Sequence, residues 1–443
     1  MPKKKTALTI EERLQQALVP AEEQPYEVPE NWVWVRLIGN VNSCLDGYRK
    51  PINSSERAKR VGKVPYYGAT GQVGWIDDYL TNEHLVLLGE DGAPFLDLLK
   101  DKAYIIFGEA WVNNHAHILK SYFGEIGNVF LMHYLNMVDY KDYVKGTTRL
   151  KLTQGSMQLM PFPLPPLSEQ QRIVERIEEL FAKLDEAKER LQEVADSFAV
   201  RKAAILHKAF TGELTKQWRR ENGVSDESWE DVSLDSVCKS IYDGDHMPPP
   251  KSETGIPFLV ISNVNTGFIS FEKCRFVPEE YYDGLSETRT PEIGDILYTI
   301  VGSYGIPVMV DTDKKFCFQR HMALLKPKDI YNRFLWCQLQ TQSFFEQATS
   351  IATGTAQLTV PIKGLRKLIV KCPTLSEQHE IVRLIDDLLA RERAAQQATE
   401  QALASIDLMK KSILARAFRG ELGTNKASEA SALELLKQVL AEG

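Results

Sequence analysis

From Ile173 the chain sets an apolar residue at alternating steps of four and three: Ile173, Ile177, Leu180, Leu184, Ala187, Leu191, Val194 and Phe198, with a charged gap at Arg201 before Ile205. That spacing is the seam of a coiled coil. A second stretch carries Ile381, Ile385, Leu388, Ile406, Met409 and Ile413, weakened in its middle by Glu392 and Thr399. Both runs follow proline (Pro165 and Pro166; Pro373) and open with Leu-Ser-Glu-Gln. Ser168 and Ser376 are therefore the expected N-caps, and Glu169 and Glu377 suit the positive end of a helix dipole. Ser168 with Gln171 reads as a capping box, which His379 leaves incomplete in the second copy. Gly212 and Gly420 are the expected stops. A helix of roughly 40 residues spans about 60 Å, too long for the core helix of one domain. Two such helices are expected to pack on each other.

The two runs belong to a longer repeat. Ser168 pairs with Ser376, Ile205 with Ile413 and "GTTRL" at Gly146 with "GTAQL" at Gly354, all at an offset of 208 positions. Upstream the echo is fainter. "WVWVRL" at Trp32 answers "WEDVSL" at Trp229, "VPYYGATG" at Val64 answers "IPFLVISN" at Ile256, and "VNNHAHILK" at Val112 answers "FQRHMALLK" at Phe318. These stretches alternate apolar and polar positions between Gly, Pro and Asn turns, so they read as short strands. The expected fold class is α+β: two mixed α/β domains separated by two long helices packed as an antiparallel coiled coil, with a pseudo-two-fold internal repeat. The expected boundaries are 1–26 for an N-terminal helical extension, 27–166 for the first domain, 167–227 for the first helix and a linker, 228–374 for the second domain, 375–423 for the second helix and 424–443 for a short C-terminal helix or tail. At the ends, Thr9 and Glu12 form a capping box, and Leu433, Leu436, Val439 and Leu440 share a helical face. Neither end helix is long enough to be stable alone, so each is expected to dock on a partner subunit or on the other.

Composition changes the picture in only a few places. At 443 residues, 43% hydrophobic and 26% charged, the chain has an ordinary soluble make-up. It has no apolar run of membrane-spanning length, and "MPKKKTALTIEERLQQAL" has no signal-peptide core. Six cysteines without a C-x-x-C pair argue against zinc ribbons and disulfides and for a cytoplasmic setting. The net charge of −7 does not advertise nucleic-acid binding.

The motifs "PPLSEQQRIVERIEEL", "SILARAFRGEL", "VPYYGATG" and "VNNHAH", within this repeat, resemble the specificity subunit of type I restriction-modification enzymes. The resemblance covers about Tyr26 to Leu422. It implies two target-recognition domains, each reading one half of a bipartite site in double-stranded DNA. It also implies that the helices set the spacer and dock two methyltransferase subunits, with restriction/translocase subunits joining the assembly. No cofactor is then expected in this chain; S-adenosylmethionine, ATP and Mg would sit on the partners. The alternative is a coiled-coil scaffold whose globular ends bind proteins. Catalysis within the chain is disfavoured: no Asn/Asp-Pro-Pro-aromatic methyltransferase motif exists, and "GATGQVG" at Gly68 is no phosphate loop.

Split by module, residues 27–165 hold 14 basic against 15 acidic side chains and residues 228–373 hold 15 against 17. The cations are clustered, and phosphate binding needs a local basic face. Arg49, Lys50, Arg57, Lys59, Arg60 and Lys63 form one cluster, Lys145, Arg149 and Lys151 another, and Lys363, Arg366, Lys367 and Lys371 a third. For base edges, Asn113, Asn114 and Gln319 suit adenine and Arg320 suits guanine. Tyr66, Tyr67, Tyr304, Thr147, Thr148 and Thr355 are candidate backbone or groove contacts. His115 and His117 are expected to share a strand face, yet no carboxylate or cysteine is evident nearby in sequence. "YDGDH" at Tyr242 is expected to be a turn, so no metal ligands are assigned.

Overall fold

Each half of the chain pairs its strands in the same order, although their sequences have drifted far apart. The computed structural model describes residues 9–442. In the first half, Asn42–Cys44, Ala116–Ser121, Leu85–Gly89 and Ala103–Ile106 lie side by side in an antiparallel sheet. The second half repeats that order with Cys238–Asp243, Met322–Pro327, Ile296–Thr299 and Pro307–Met309. Next to each sheet a parallel pair recurs: Val64–Gly68 with Glu109–Val112, and Ile256–Leu259 with Cys317–Phe318. A third pair joins the beginning of each half to its end, Val33–Arg36 with Pro161–Leu164 and Glu230–Ser233 with Ile369–Cys372. Leu85–Gly89 and Ile296–Thr299 are buried throughout, as continuous apolar runs in the middle of a sheet should be.

The expected long helices run Leu167–Phe210 and Leu375–Ala417. Contacts divide the chain into two compact units: up to Gln192 together with Gln401 onward, and Glu193–Glu400. Both helices contribute to each unit. In the first, Ile173, Val174 and Ile177 of one helix meet Leu414, Ala417 and Phe418 of the other in one buried cluster. In the second, Leu206, Ala209 and Phe210 join Ile381, Val382 and Ile385. These are the same six positions shifted by the repeat. Lys188 pairs with Asp407 and Lys410 with Asp185, so numbers rise on one helix as they fall on the other: the pair is antiparallel. The seam departs from the sequence pattern in its middle. Val194 and Met409 are exposed, while Thr399 is buried. Arg201 and Glu392, the two charged interruptions, pair with each other at 3.0 Å.

The caps also differ from expectation. Both helices begin one residue ahead of the serines, and Ser168 and Ser376 are exposed. Pro166 O accepts the first free N–H groups of one helix, and Thr374 caps the other, its hydroxyl accepting from Glu377 N–H at 3.4 Å. Gln171 bonds to Glu175 and closes no box. The glycine stops hold: Gly212 and Gly420 have φ of +78° and +74°. At the ends of the chain, Thr9 and Glu12 make the expected capping box on Ile10–Ala17. That helix packs against Ala432–Glu442, whose Leu436 and Leu440 enter the first unit's core. Within this chain the end helices therefore dock on each other. Residues 1–8 of the expected extension lie outside the described residues.

The Leu-Ser-Glu-Gln motif is kept for its last two residues. Glu169 and Glu377 are fully buried and gather donors from distant segments. Glu377 Oε1 accepts from Thr215 Oγ1 at 2.6 Å, Arg219 Nη1 at 2.7 Å and Trp229 Nε1 at 3.1 Å. Glu169 accepts from Trp32 Nε1 at 2.8 Å and Asn425 Nδ2 at 2.9 Å, with the Thr424 hydroxyl at 3.4 Å. Among the described residues, only the second clasp holds a cation in direct contact. Burial pushes the Glu169 carboxyl above its ordinary value of 4.5, against the pull of its neutral donors and of the Arg172 charge. A carboxyl raised in the folded state costs stability as pH rises past that value. Glu377→Gln, which leaves Arg219 buried beside a neutral amide, is expected to lower stability by about 3 kcal/mol. Glu169→Gln is expected to leave neutral-pH stability unchanged or higher. Urea midpoints of the two variants at pH 7 check this; equal losses would refute the asymmetry.

Candidate nucleic-acid interface

In each half the loops at one end of the sheet are tied together by the same backbone hydrogen bonds. In the first, Glu90 N–H donates to His115 O at 2.8 Å, Leu152 N–H to Glu90 O at 2.7 Å and Asn113 N–H to Tyr67 O at 3.1 Å. In the second, Ile300 N–H donates to His321 O at 2.9 Å, Val360 N–H to Ile300 O at 2.8 Å and Gln319 N–H to Leu259 O at 3.0 Å. Four segments thus meet at equivalent places. In the first half they carry Asp46 and Arg49, Glu90 and Asp91, Asn114 and His115, and Arg149 and Lys151. In the second they carry Asp243 and His246, Val301, Arg320 and His321, and Gln357. There the segments line a cavity of about 400 Å³.

The first face is an ion-pair network. Arg49 reaches Asp46 at 3.0 Å, makes a short contact to Glu90 and donates to Ala116 O at 3.2 Å. Lys151 pairs with Glu90 at 2.8 Å, and Arg149 with Asp91, also at 2.8 Å. His115 Nδ1 lies 2.6 Å from Asp91, whereas the buried His117 sets Nδ1 2.7 Å from Asp46 and Nε2 2.9 Å from Leu152 O. The two histidines therefore serve different partners, and the expectation that no carboxylate lies near them fails. Asp46 is 71 positions from His117, and the strand pairing that brings them together is invisible in a linear reading. Burial alone would push the Asp46 carboxyl up, but the His117 hydrogen bond and charge, Ile118 N–H and Arg49 hold it below its ordinary 3.8. Glu90 is held low in the same way by Lys151 and Arg49 against its burial. Cys44 completes a thiol, carboxylate and imidazole trio with ligand atoms within 4.8 Å of one another. Burial pushes its thiol up to about 12, which keeps it protonated, and the imidazole is committed at both nitrogens.

Other candidate residues fall into three settings. Tyr66 is buried with Ile76 and Trp111, and Asn113 is buried with its oxygen accepting His115 N–H, so both hold the frame. Arg57 lies over the Tyr66 ring at 5.2 Å and Arg60 over Trp111 at 4.6 Å, beside the exposed Lys50, Lys59 and Lys63. Tyr304 stacks on Phe345 and bonds to Thr349; Tyr67 is half-buried against Tyr104. Arg366 lies over Tyr242 at 4.9 Å and donates to Ile241 O, with Lys363 and Lys367 exposed around it. Gln319 is half-buried, while Asn114, Thr147, Thr148, Arg149, Arg320 and Thr355 are exposed. Asp91, His321 and Gln357 were not singled out from the sequence. Gln357 was within reach, since "GTAQL" sets it opposite Arg149. The "YDGDH" stretch is also pinned by ion pairs: Asp243 to His246 at 3.0 Å and Asp245 to Arg289 at 2.6 Å.

The family profile described as the type I restriction modification DNA specificity domain matches twice, over residues 29–196 and 226–403. The chain belongs to that family. It is similar to the type I restriction enzyme EcoBI specificity subunit of Escherichia coli, at 28% identity over 66% of each chain. The EcoDI specificity subunit of the same species is 24% identical over 94% of this chain and 96% of its own. Among solved structures, the HsdS subunit from Thermoanaerobacter tengcongensis superposes with a TM-score of 0.59 at 19% identity, covering 90% of this chain and all of that one. The chain is thus a DNA sequence-specificity subunit of a type I restriction-modification system, and it is non-catalytic. The protein-binding scaffold is not favoured. Among the described residues no helix is long and apolar enough to cross a membrane.

Asp46→Asn should destabilise the first domain by about 2 kcal/mol at neutral pH, the cost of weakening a buried charge-assisted bond to His117. A carboxyl depressed in the folded state stabilises above its unfolded value and loses that contribution as pH falls through its folded one. The gap between wild type and variant should therefore close as pH drops below 3.8. Urea midpoints measured from pH 7 to pH 3 check this; a constant gap would contradict it.

Proposed function

We propose that each half, close to residues 27–166 and 228–374, reads one part of a split site in double-stranded DNA. The carrying observation is that one backbone frame, fixed by matching main-chain bonds, presents different side chains at matching places: Asn114 against Arg320, and Arg49 against His246. Asparagine pairs with adenine and arginine with guanine through two hydrogen bonds at the major-groove edge, so such a pair of tips would select different bases. Thr148, Lys50, Lys59, Lys63, Lys145, Lys363 and Lys367 supply the surrounding phosphate contacts in this reading, and Tyr66 and Asn113 support them from beneath.

The long helices set the distance between the half-sites and offer two equivalent docks to methyltransferase subunits, which restriction/translocase subunits join. S-adenosylmethionine, ATP and Mg belong to those partners, and the assembly works on DNA in the cytoplasm. A solved structure with a TM-score of 0.61 to this chain comes from work on complex assembly of the type I system, which supports this role.

Exchanging residues 27–165 for the matching domain of a relative should change one half-site only, read by mapping methylated adenines in the host genome. Change in both halves would refute two independent readers. Inserting seven residues after Leu191 and seven at Thr399 should lengthen the spacer between half-sites and leave the half-sites alone. An unchanged spacer in a folded, assembling variant would rule out the helices as the ruler.

A further inference from the structure

Within the proposed recognition domains, one loop keeps three of its five residues, its backbone and its ties in both copies. It runs 146–150 in the first and 354–358 in the second. Gly146 and Gly354 have φ of +120° and +113°, and a Cβ on either would meet the carbonyl oxygen of Arg149 or Gln357 at 2.4 Å. Only glycine fits there. A second glycine locks each loop from the side: Gly92 N–H donates to Leu150 O at 3.4 Å and Gly302 N–H to Leu358 O at 2.9 Å, both at φ +71°. The loops point Thr147, Thr148 and Thr355 outward, and among the described residues their hydroxyls make no hydrogen bond. At the tip, Arg149 is 59% exposed with Asp91 steering one edge of its guanidinium, while Gln357 stands at the matching place.

A segment kept alike in two domains that read different sequences cannot be what tells those sequences apart. It is suited to what both half-sites share. We propose that the two Gly-Thr loops grip the sugar-phosphate backbone of the duplex, fixing each domain's register without reading bases. The proposal rests on the DNA-reading role above. Hydroxyls and exposed main-chain N–H groups are donors that phosphate oxygens accept, and such contacts position a protein without carrying sequence information. Arg149 adds a charge on the first side, flanked by Lys145. On the second side the tip is neutral, and Lys363 and Lys367 follow it in the chain. The two grips therefore differ in charge by one cation at the tip, which gives the idea a direct test.

The tips are exchanged singly, Arg149→Gln and Gln357→Arg, in the chain assembled with its methyltransferase subunits. Binding is measured against a duplex carrying the site found by methylated-adenine mapping and against a random duplex of equal length, across a salt series. Arg149→Gln is expected to weaken both duplexes alike, by about tenfold near 0.1 M salt, and to reduce the slope of log affinity on log salt by about 0.9. Gln357→Arg should strengthen both and steepen the slope by about the same amount, which guards against a variant that merely fails to fold. The methylated sequence should stay as it was. A shifted base preference, a loss confined to the specific duplex, or no change in affinity and slope would overturn the grip. Wild-type complex that binds neither duplex would instead sink the DNA-reading role itself.

Discussion

A buried carboxylate at the start of each long helix is the constraint on which the rest is built. An ionised carboxyl removed from water costs several kcal/mol unless donors surround it. Here each draws its donors from two remote stretches of chain. Glu377 draws on the segment after the first helix (Thr215, Arg219) and on the opening of the second domain (Trp229). Glu169 draws on the opening of the first domain (Trp32) and on the segment after the second helix (Thr424, Asn425). Each unit is thereby closed on itself, and the second helix's tail must return to the first domain to do it. Gln170 and Gln378 extend the same knot, donating to Pro165 O and Pro373 O. The conspicuous repeat in the sequence is a repeated demand for hydrogen-bond closure.

Much of this frame was legible because periodicity is local. The extent of both helices, their glycine stops and the short strands follow from spacing within a few residues. The caps were misjudged for a physical reason: serine is a good N-cap in general, but the proline and threonine ahead of it already end the chain's extended path. The sheet order was not legible, because Asn42 finds Ser121 and Phe258 runs parallel to Cys317. The ion pairs of the candidate site were hidden for the same reason. Arg49, Glu90 and Lys151 meet only after the strands between them have paired. Gln357 is different, since the constant offset of the repeat already set it opposite Arg149.

The acidic balance of the chain looks less like an obstacle once the carboxylates are located. In the first domain Asp46, Glu90 and Asp91 are turned toward Arg49, Lys151, His115, His117 and Arg149, and they hold those side chains in place. An arginine ordered by a carboxylate loses less conformational freedom when it meets a second partner. The exposed lysines around it, Lys50, Lys59, Lys63 and Lys145, can follow a phosphate backbone without such steering. Net charge is thus a poor guide here, because half of a cancelling pair can be structural while the other half still faces solvent.

The bonds that fix the candidate face run from main chain to main chain. Glu90 to His115, Leu152 to Glu90 and their counterparts at Ile300, His321 and Val360 involve no side-chain atom, so they persist whatever residue occupies the position. The tips at 114 and 320 and at 149 and 357 are exposed, where a substitution typically shifts stability by no more than about 0.5 kcal/mol. A frame of this kind separates two requirements that compete in most binding sites. Folding is secured by backbone geometry, two glycine-locked loops and the buried glutamates. In the proposed reading, base preference is left to side chains such as Asn114 and Arg320 that folding does not need. That separation lets two domains with one topology carry Asn114 in one and Arg320 in the other without any cost to the helices that join them.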